Sequence, residues 1–517
     1  MALSVVALGC TPAPADPGDE GTDGKSDDAD DEEEGGDEDP DPTTDDDDTT
    51  DDSSDATSSS GMTSSPSTSG DAPTTSTTAA ADEGLDVVAD EGPVGDCTFQ
   101  VTSSVSPTIE TVGIVEWSVD LPSVEMASIE FGPDTSYGMT APVDLAEPEY
   151  RTLLLGLKGD QEYHFRIRAS GGGMACESGD YTIQTGLVPN ALPKPTVTTA
   201  NAAALAGGFL VSGFYQSQGF GGAYAFIMDA DHDFVWYYSD PEGTIDQITS
   251  TKMTYDGKSM WIRNANVPNS NQGAAIRVSM DGMLLERAEG VAATHHDFAV
   301  LPDGTLGMLA YGQGCDVVLE RAPDGTVSQI FDVQDAHGSS TCHTNSIHYH
   351  PEDDTYTVSD LGAGFGGSGS NDVYIKITRT GEVLWVLGGD GVGDFTGDGA
   401  EWTAQHGHHL LSGDRLLFFN NGSGGGGGGS SLAIEVQLDL SQMTATRIWT
   451  YEGGLYNQVM GDVQRLENGN TLVVYSTRGT VHEVDPAGTL VGEFEWSAGA
   501  LIGYVTQRPT LYGPPPR

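Results

Sequence analysis

The histidines are the side chains of this chain best suited to chemistry, because nine of the twelve lie between His295 and His409. An imidazole can act as a nucleophile, as a general acid or base, or as a metal ligand. His343 and Asn345 are two residues apart, so both side chains share one face if the segment is a strand. This concentration predicts a shared polar site built mainly by histidines.

The spacing of these side chains relative to turns indicates that they meet. Counting back five positions from the last apolar residue before successive turns reaches His296, Asn345, His406 and Gly461. If these positions lie on equivalent strands around one axis, their side chains project into one central space. We therefore predict a single site formed by His295, His296, His343, Asn345 and His406.

Repeated pairs of turns predict the elements that position this site. Six copies of two alternating hairpins give six four-stranded units, and a unit of this length is a β-propeller blade. The sequence therefore predicts an all-β fold with a six-bladed β-propeller over residues 196–517. The 69 glycines and the 37% of hydrophobic residues likewise favour short strands and turns over a large helical enzyme.

A smaller unit is predicted in front of the propeller, over residues 96–188. Residues 163–167 alternate between apolar and polar side chains after an apolar turn, as a strand does. This stretch resembles the corner and following strand of fibronectin type III domains, with Tyr163 as the corner tyrosine whose hydroxyl bonds back to the backbone. The resemblance implies a small β-sandwich.

The first 95 residues differ in composition from the rest. Residues 1–10 are an apolar run that ends at Cys10 and resembles the end of a bacterial lipoprotein signal, which predicts a lipidated Cys10 as the membrane link. Residues 11–95 are rich in Asp, Glu, Ser and Thr and predict a disordered acidic linker. Both features predict an extracytoplasmic protein of the bacterial cell envelope, in the periplasm or at the cell surface.

The net charge and the cysteines of the chain indicate which partners and which covalent bonds to expect. The net charge of −59 repels a phosphate backbone, so nucleic acid is excluded as a partner. Two cysteines, Cys97 and Cys176, lie in the predicted sandwich, and Cys315 and Cys342 lie in the predicted propeller. Two disulfides are therefore expected, with a pairing that the sequence leaves open, as it does the oligomeric state.

Metal chemistry is an alternative use of the same residues. The histidines beside Asp297 have nitrogens suited to zinc, and residues 394–399 begin like a calcium loop but have Gln405 where such a loop ends in Glu. The cysteines show no CxxC spacing. We predict neither a metal nor a cofactor.

Several stretches of the predicted propeller together resemble one family, in the order in which that family has them. They are residues 295–304, 343–347, 351–355, 375–377, 385–389, 405–406, 418–420 and 461–471. The family is that of the bacterial arylsulfate sulfotransferases, six-bladed propellers with a β-sandwich in front. The resemblance implies transfer of a sulfuryl group from a phenolic sulfate ester to a phenol, without a nucleotide sulfate donor.

The same resemblance implies roles for individual residues. His406 matches the histidine that is transiently sulfated, and His343 and Asn345 match the histidine and asparagine of an HxNS strand. His296 or His295 matches the histidine of the first motif. The implied mechanism is attack of a neutral imidazole on sulfur, with flanking histidines donating hydrogen bonds to the sulfuryl oxygens and to the departing phenolate.

One position departs from the family. The strand after the HxNS motif usually ends in Ser-Ser-Arg, whose arginine neutralises the sulfate, whereas this chain has Leu361 there. Arg478 ends the analogous strand two blades further on, and we predict that it fills the gap as a site residue. If it does not, the resemblance implies an inactive or re-purposed relative.

Two other classes of function compete with the transferase. The first is a non-catalytic, surface-tethered propeller that binds a glycan or a protein partner, which the missing arginine favours. The second is a quinone- or metal-dependent oxidoreductase on a propeller. The transferase is the leading prediction because it accounts for the most residues.

Overall fold

The computed structural model of the protein describes residues 97–217, 222–266, 271–362, 372–389, 392–422, 429–497 and 500–515. The predicted signal and acidic linker lie outside the described residues. Helix is confined to one short α-helix, α1 (Gln334–His337), and three 3₁₀ turns, within these ranges. In the same ranges no helix is long and apolar enough to cross a membrane.

Eight strands form a β-sandwich at the start of the described chain. They are β1 (Phe99–Val105), β2 (Gly113–Val119), β3 (Met126–Gly132), β4 (Met139–Pro142), β5 (Thr152–Leu154), β6 (Glu162–Gly171), β7 (Met174–Glu177) and β8 (Tyr181–Gln184). One sheet has the order β1-β2-β5 and the other β4-β3-β6-β7, with β8 paired to β6. Apolar residues of both sheets form one core that includes Trp117, Phe131 and Phe165.

The predicted corner tyrosine lies within this core. Alternate residues of β6 are buried, which follows from the period of two that a strand imposes. Tyr163 is one of them, and its hydroxyl accepts a hydrogen bond from the backbone N–H of Lys158 at 2.8 Å. The bond returns to the backbone as expected, while the assignment to fibronectin type III stays a prediction.

The remaining strands follow one another along the chain. The first half comprises β9 (Thr196–Ala200), β10 (Phe209–Ser217), β11 (Ala225–Met228), β12 (Phe234–Tyr238), β13 (Ile248–Met253), β14 (Ser259–Asn264), β15 (Ala275–Ser279), β16 (Leu285–Arg287), β17 (Thr294–Val300), β18 (Leu306–Tyr311), β19 (Asp316–Arg321) and β20 (Val327–Asp332). The second half comprises β21 (Thr344–His350), β22 (Thr355–Asp360), β23 (Val373–Thr378), β24 (Val383–Gly388), β25 (Gln405–Leu411), β26 (Arg415–Asn420), β27 (Leu432–Asp439), β28 (Thr444–Glu452), β29 (Asp462–Arg465), β30 (Thr471–Tyr475), β31 (Thr480–Val484), β32 (Leu490–Glu495), β33 (Ala500–Ile502) and β34 (Thr506–Arg508).

These strands form antiparallel sheets in chain order. Sheet 1 contains β10, β11 and β12 with β33 and β34, and sheets 2 to 5 are β13–β16, β17–β20, β21–β24 and β25–β28. Sheet 6 contains β29–β32 with β9 at its outer edge. The first strands of sheets 1 to 6 contact one another in turn, from β10 through β13, β17, β21 and β25 to β29. The sheets therefore stand around one channel, which is a β-propeller.

Both ends of the propeller chain help to close the ring. The N-terminal strand β9 pairs with β32 of sheet 6, and the C-terminal strand β34 pairs with β10 of sheet 1. Gln464 of β29 and Gln507 of β34 exchange two hydrogen bonds, at 3.0 and 2.7 Å. A closed ring leaves each sheet packed between two neighbours, so central strands such as β11 and β22 are buried on both faces. The predicted all-β propeller class is confirmed.

The sandwich contacts the propeller through buried polar bonds. The Ser106 hydroxyl donates to the carbonyl of Asp281 at 2.5 Å, and the Arg151 guanidinium pairs with the Asp281 carboxylate at 2.6 Å. The Thr111 hydroxyl donates to the carbonyl of Val235 at 2.8 Å. These contacts join the sandwich to sheets 1 and 2 and leave the strands that carry the histidines uncovered by it.

Candidate active site

Three neighbouring inner strands bring the predicted histidines together. β17 carries His295 and His296, β21 begins directly after His343, and β25 carries His406. The ring centroids of His296 and His343 are 4.9 Å apart, and those of His295 and His296 are 5.0 Å apart. The residues come from three different sheets, so the packing of neighbouring sheets places them in one cluster.

Each of these strands leaves regular pairing where it carries a site residue. The register of pairing shifts within residues 294–298, 344–346 and 405–408. His296 has a φ of +51°, a left-handed conformation that is costly for a residue with a Cβ atom. Such bulges re-aim side chains, and they are frequent beside active sites.

Asn421 determines the tautomer of His406. The amide nitrogen of Asn421 donates to the carbonyls of Asn457 and Met460, both at 2.8 Å. Its amide oxygen therefore faces the ring and accepts a hydrogen bond from Nδ1–H of His406 at 2.6 Å. A neutral ring with its proton on Nδ1 carries the lone pair on Nε2, the nitrogen that a nucleophilic role requires.

Burial keeps the three central histidines uncharged. It lowers the pKa of His406 to about 3 and the pKa of His296 well below its usual value. Burial also lowers the pKa of His343, against the opposing pull of Asp316. A buried cluster of imidazoles cannot gain several positive charges, because each cation would be poorly solvated and would repel the others. All three rings are neutral at neutral pH.

His295 lies between a carboxylate and the central rings. Its Nε2 is 3.5 Å from Oδ2 of Asp316, and its Nδ1 is 2.8 Å from Nδ1 of His296. The ring also stacks on Tyr311 with a centroid distance of 4.0 Å. In the Nδ1–Nδ1 contact one ring donates a hydrogen bond to the other. The contact therefore links the orientations of the two rings.

A disulfide connects the segments that carry Asp316 and His343. Cys315 is bonded to Cys342, and each cysteine directly precedes one of these two residues. The Asp316 carboxylate accepts hydrogen bonds from the backbone N–H and the hydroxyl of Thr344, at 2.8 and 3.0 Å. The disulfide and the carboxylate together hold the start of β21 beside β19. The second disulfide joins Cys97 and Cys176 in the sandwich.

Asn345 is fully buried and connects neighbouring strands. Its amide nitrogen donates to the carbonyl of Gln405 at 2.6 Å, and its own carbonyl accepts from the Tyr504 hydroxyl at 2.6 Å. Its Oδ1 has no hydrogen-bond partner within the described part of the chain. Asn345 thus sets the spacing of β21 and β25 beside the histidines.

Comparison with known families identifies the segment that carries most of these residues. Residues 323–497 match the model of the arylsulfotransferase (ASST) family. This segment is therefore similar to the arylsulfotransferase family. His343, Asn345 and His406 lie inside the matched residues, as do Leu361 and Arg478, while His295 and His296 precede them. The family resemblance inferred from the sequence motifs is confirmed.

The solved structures that match this chain are distant from it in sequence. A protein of unknown function from Bacteroides caccae is 15% identical, with 58% of this chain and 98% of that chain covered and a TM-score of 0.39. TolB from Acinetobacter baumannii is 11% identical (68% and 80% covered, TM-score 0.40), and virginiamycin B lyase from Staphylococcus aureus is 9% identical (77% and 99% covered, TM-score 0.34). No curated protein matches the chain.

The two positions that concern the arginine of the family motif differ in exposure. Leu361 is 1% exposed, and its backbone N–H donates to the carbonyl of His343 at 3.1 Å. Arg478 is exposed, and its Nε donates to the carbonyl of Tyr456 at 2.8 Å. No hydrogen bond or ion pair joins Arg478 to the clustered histidines among the residues with described positions. Its assignment as a site residue stays a prediction.

Sequence reasoning missed three residues that lie beside the clustered histidines. Asn421 directly follows residues 418–420, a stretch that resembles the family. Extending that stretch by one residue would have included it. Asp316 follows Cys315, and the expected disulfide was the only signal for it. Arg263 is a fully buried arginine beside Thr294, and nothing in its apolar surroundings indicated a role.

A cavity lies at the opposite end of the channel from these histidines. It has a volume of about 970 Å³, and its lining includes Asp297, Asp462 and a second group of histidines, His348, His350, His408 and His409. The predicted site residues do not line it. The histidines therefore form more than one cluster, so the candidate site contains fewer histidines than their concentration in the sequence suggests.

One group of possible metal ligands occurs in the described ranges. It consists of Cys315, His337 and Cys342, and both cysteines are in the disulfide. A cysteine in a disulfide has no thiolate to donate to a metal. This group therefore has no metal-binding role in the oxidised protein.

Proposed function

We propose that the protein transfers a sulfuryl group from an aryl sulfate to a phenol through a sulfohistidine at His406. The observation that carries the proposal is the His406–Asn421 bond, which leaves the lone pair on Nε2 of an uncharged ring. His296 and His343 stand beside it with further imidazole nitrogens. The arylsulfotransferase match supports the same reaction class.

The transfer takes place in two displacements. Nε2 of His406 attacks sulfur, the N–S bond forms, and the S–O bond to the aryl group breaks with its electron pair going to the phenolate oxygen. A ring N–H of His296 or His343 donates a hydrogen bond to the phenolate oxygen, and the phenolate takes its proton from water as it leaves. The acceptor phenol then gives its proton to the hydroxide so formed while its oxygen attacks sulfur, and the N–S bond breaks to restore neutral His406.

The donor in this proposal is the aryl ester itself, so no nucleotide sulfate and no cofactor are required. The two disulfides support an oxidising, extracytoplasmic compartment, because such bonds are rare in reducing cytosol. Anchoring through a lipidated Cys10 belongs to the same proposal and rests on the sequence motif.

The test uses p-nitrophenyl sulfate as donor with a phenol as acceptor. We expect nitrophenol release that depends on the acceptor, and one added sulfuryl group by intact-mass analysis after brief exposure to the donor. His406→Ala should abolish both. His409→Gln is the matched control, because His409 lies on the same strand but lines the cavity at the other end.

Two results would contradict the proposal. Equal labelling of wild type and His406→Ala would remove His406 as the nucleophile. A wild type that releases no nitrophenol with any phenol and gains no sulfuryl group would favour the non-catalytic propeller that binds a glycan or a protein.

A further inference from the structure

Arg263 is a buried cation without an ion-pair partner in the described part of the chain. It lies near the end of β14, is 0% exposed, and makes one hydrogen bond, from Nη1 to the Thr294 hydroxyl at 2.6 Å. Its Nε and Nη2 have no partner within the described part of the chain. A guanidinium has five N–H donors, and burying these donors without hydrogen-bond acceptors costs free energy of folding.

The nearest acidic side chain does not neutralise this charge. Asp297 attracts Arg263 electrostatically, but its carboxylate is bonded to the Lys252 ammonium at 2.9 Å and the Ser250 hydroxyl at 2.8 Å. The backbone N–H of Ile347 also donates to it, at 3.3 Å. Arg263 forms no ion pair with any residue of the described ranges.

Another buried arginine, Arg508, has hydrogen-bond acceptors that Arg263 lacks. Arg508 is 2% exposed, and its guanidinium donates to the carbonyls of Thr510, Gly513 and Pro514 at 3.2, 2.7 and 3.0 Å. Backbone oxygens thus meet the Arg508 donors as part of the fold. Arg263 has no such set of oxygens, so the fold alone does not explain why its charge is retained.

The position of Arg263 indicates where an anion would lie. Its partner Thr294 is two residues before His296 on β17. The positive charge of Arg263 is one of the neighbouring charges that add to burial in lowering the pKa of His296. The unmet donors are therefore beside the ring cluster that surrounds His406.

We propose that Arg263 binds an oxygen of the sulfuryl group, in an oxyanion site shared with His296 that replaces the arginine missing at Leu361. The inference rests on the proposed sulfuryl transfer and deepens it. It assigns the anion-binding role to sheet 2, a part of the propeller that precedes the residues matched to the family. Arg478 then has no role in binding the sulfate.

The first experiment measures binding without any chemistry. In the full chain, a few millimolar inorganic sulfate at constant ionic strength should raise the Tm of the wild type. Arg263→Met should abolish that rise. It should also leave the Tm without sulfate unchanged or higher, because it removes an unpaired buried charge and keeps an apolar stem. Arg277→Met is the matched control, since Arg277 lies in the same sheet but is exposed and paired with Glu286.

The second experiment measures transfer in the same variants. Arg263→Met should lower kcat/KM by about 10- to 100-fold, the effect of losing a charge-assisted contact. Arg263→Lys keeps the charge without the planar fork and should retain part of both the sulfate response and the transfer, which also provides a test if Arg263→Met folds poorly. A sulfate response that survives in Arg263→Met but disappears in Arg478→Met would overturn the proposal.

These readouts separate the two proposals. If the wild type transfers no sulfuryl group but its sulfate response depends on Arg263, the oxyanion site stands and the proposed function fails. If transfer occurs and both readouts are unchanged in Arg263→Met, the proposed function stands and the role of Arg263 fails.

Discussion

Asn421 decides which nitrogen of His406 can react. Both of its amide protons are given to carbonyls, so only its oxygen can face the ring. That oxygen holds the ring proton on Nδ1 without adding a charge. The neutral partner is important because a carboxylate at this distance would stabilise the protonated ring, which has no lone pair to attack sulfur.

Asn421→Asp tests this at the residue scale. The new carboxylate should raise the pKa of His406 from about 3, because an adjacent negative charge favours the imidazolium. The rate of transfer should then fall as the pH drops from 7.5 to 5, whereas the wild-type rate stays flat with respect to His406. Rates measured across this range check the prediction, and identical profiles for the two proteins would contradict it.

At the scale of elements, the site depends on how β21 is held against β19. The disulfide joins Cys315 and Cys342, which are 27 positions apart, and Asp316 and His343 directly follow them. Asp360 lies at the end of β22. Its carboxylate accepts a hydrogen bond from the backbone N–H of His343 at 2.6 Å and lies 2.9 Å from Nε2 of His337. The start of β21 is therefore fixed from two sides.

Removing this disulfide should affect both stability and catalysis. The double variant Cys315→Ser with Cys342→Ser should lose about 2–4 kcal/mol of unfolding free energy and lower kcat by about 10-fold or more, because His343 loses its exact placement. Urea unfolding and the nitrophenol assay measure the two effects. The matched control is the Cys97 and Cys176 pair, whose removal should destabilise the sandwich and leave transfer intact. Unchanged kcat in the first variant would show that the disulfide has no role in the site.

At the scale of the whole molecule, the propeller buries many uncharged histidines. Burial lowers the pKa of His350 and His406 to about 3 and the pKa of His409 to about 4. Below about pH 6.5 the unfolded chain takes up protons at these residues and the folded chain does not, so the unfolding free energy decreases as the pH falls. Burial raises the pKa of Asp462 to about 7, which acts in the opposite direction over the same range.

The sum of these effects is a protein that is less stable at pH 5 than at pH 7. Each of the three histidines should cost about 2 kcal/mol over this interval, and Asp462 should return about 2 kcal/mol, so the net loss is several kcal/mol. Urea unfolding at both pH values measures it. His409→Gln should reduce the loss by about 2 kcal/mol, and equal stability of the wild type at pH 5 and pH 7 would contradict the prediction.

Local patterns in the chain were sufficient to predict the all-β class, the propeller and the arylsulfotransferase resemblance. Alternation along strands and repeated turns are properties of neighbouring residues, so they can be recognised without knowing which strands meet. The same reasoning brought His296, Asn345 and His406 to equivalent strand positions, and the structure places them on adjacent inner strands.

Tertiary structure decided the partners of these residues. Arg263 reaches Thr294 from another sheet, and Asn421 reaches His406 from the loop after β26, so neither contact has a period along the chain. Burial also depends on how the sheets pack around the channel. Burial in turn lowers the pKa of the clustered histidines and leaves N–H donors of Arg263 without a hydrogen-bond partner in the described part of the chain. The sequence predicts Arg478 as the sulfate-binding arginine because it ends an analogous strand. The tertiary structure shows that Arg478 is exposed and that Arg263 is buried. Desolvation is a property of the assembled propeller, and residue order alone does not contain it.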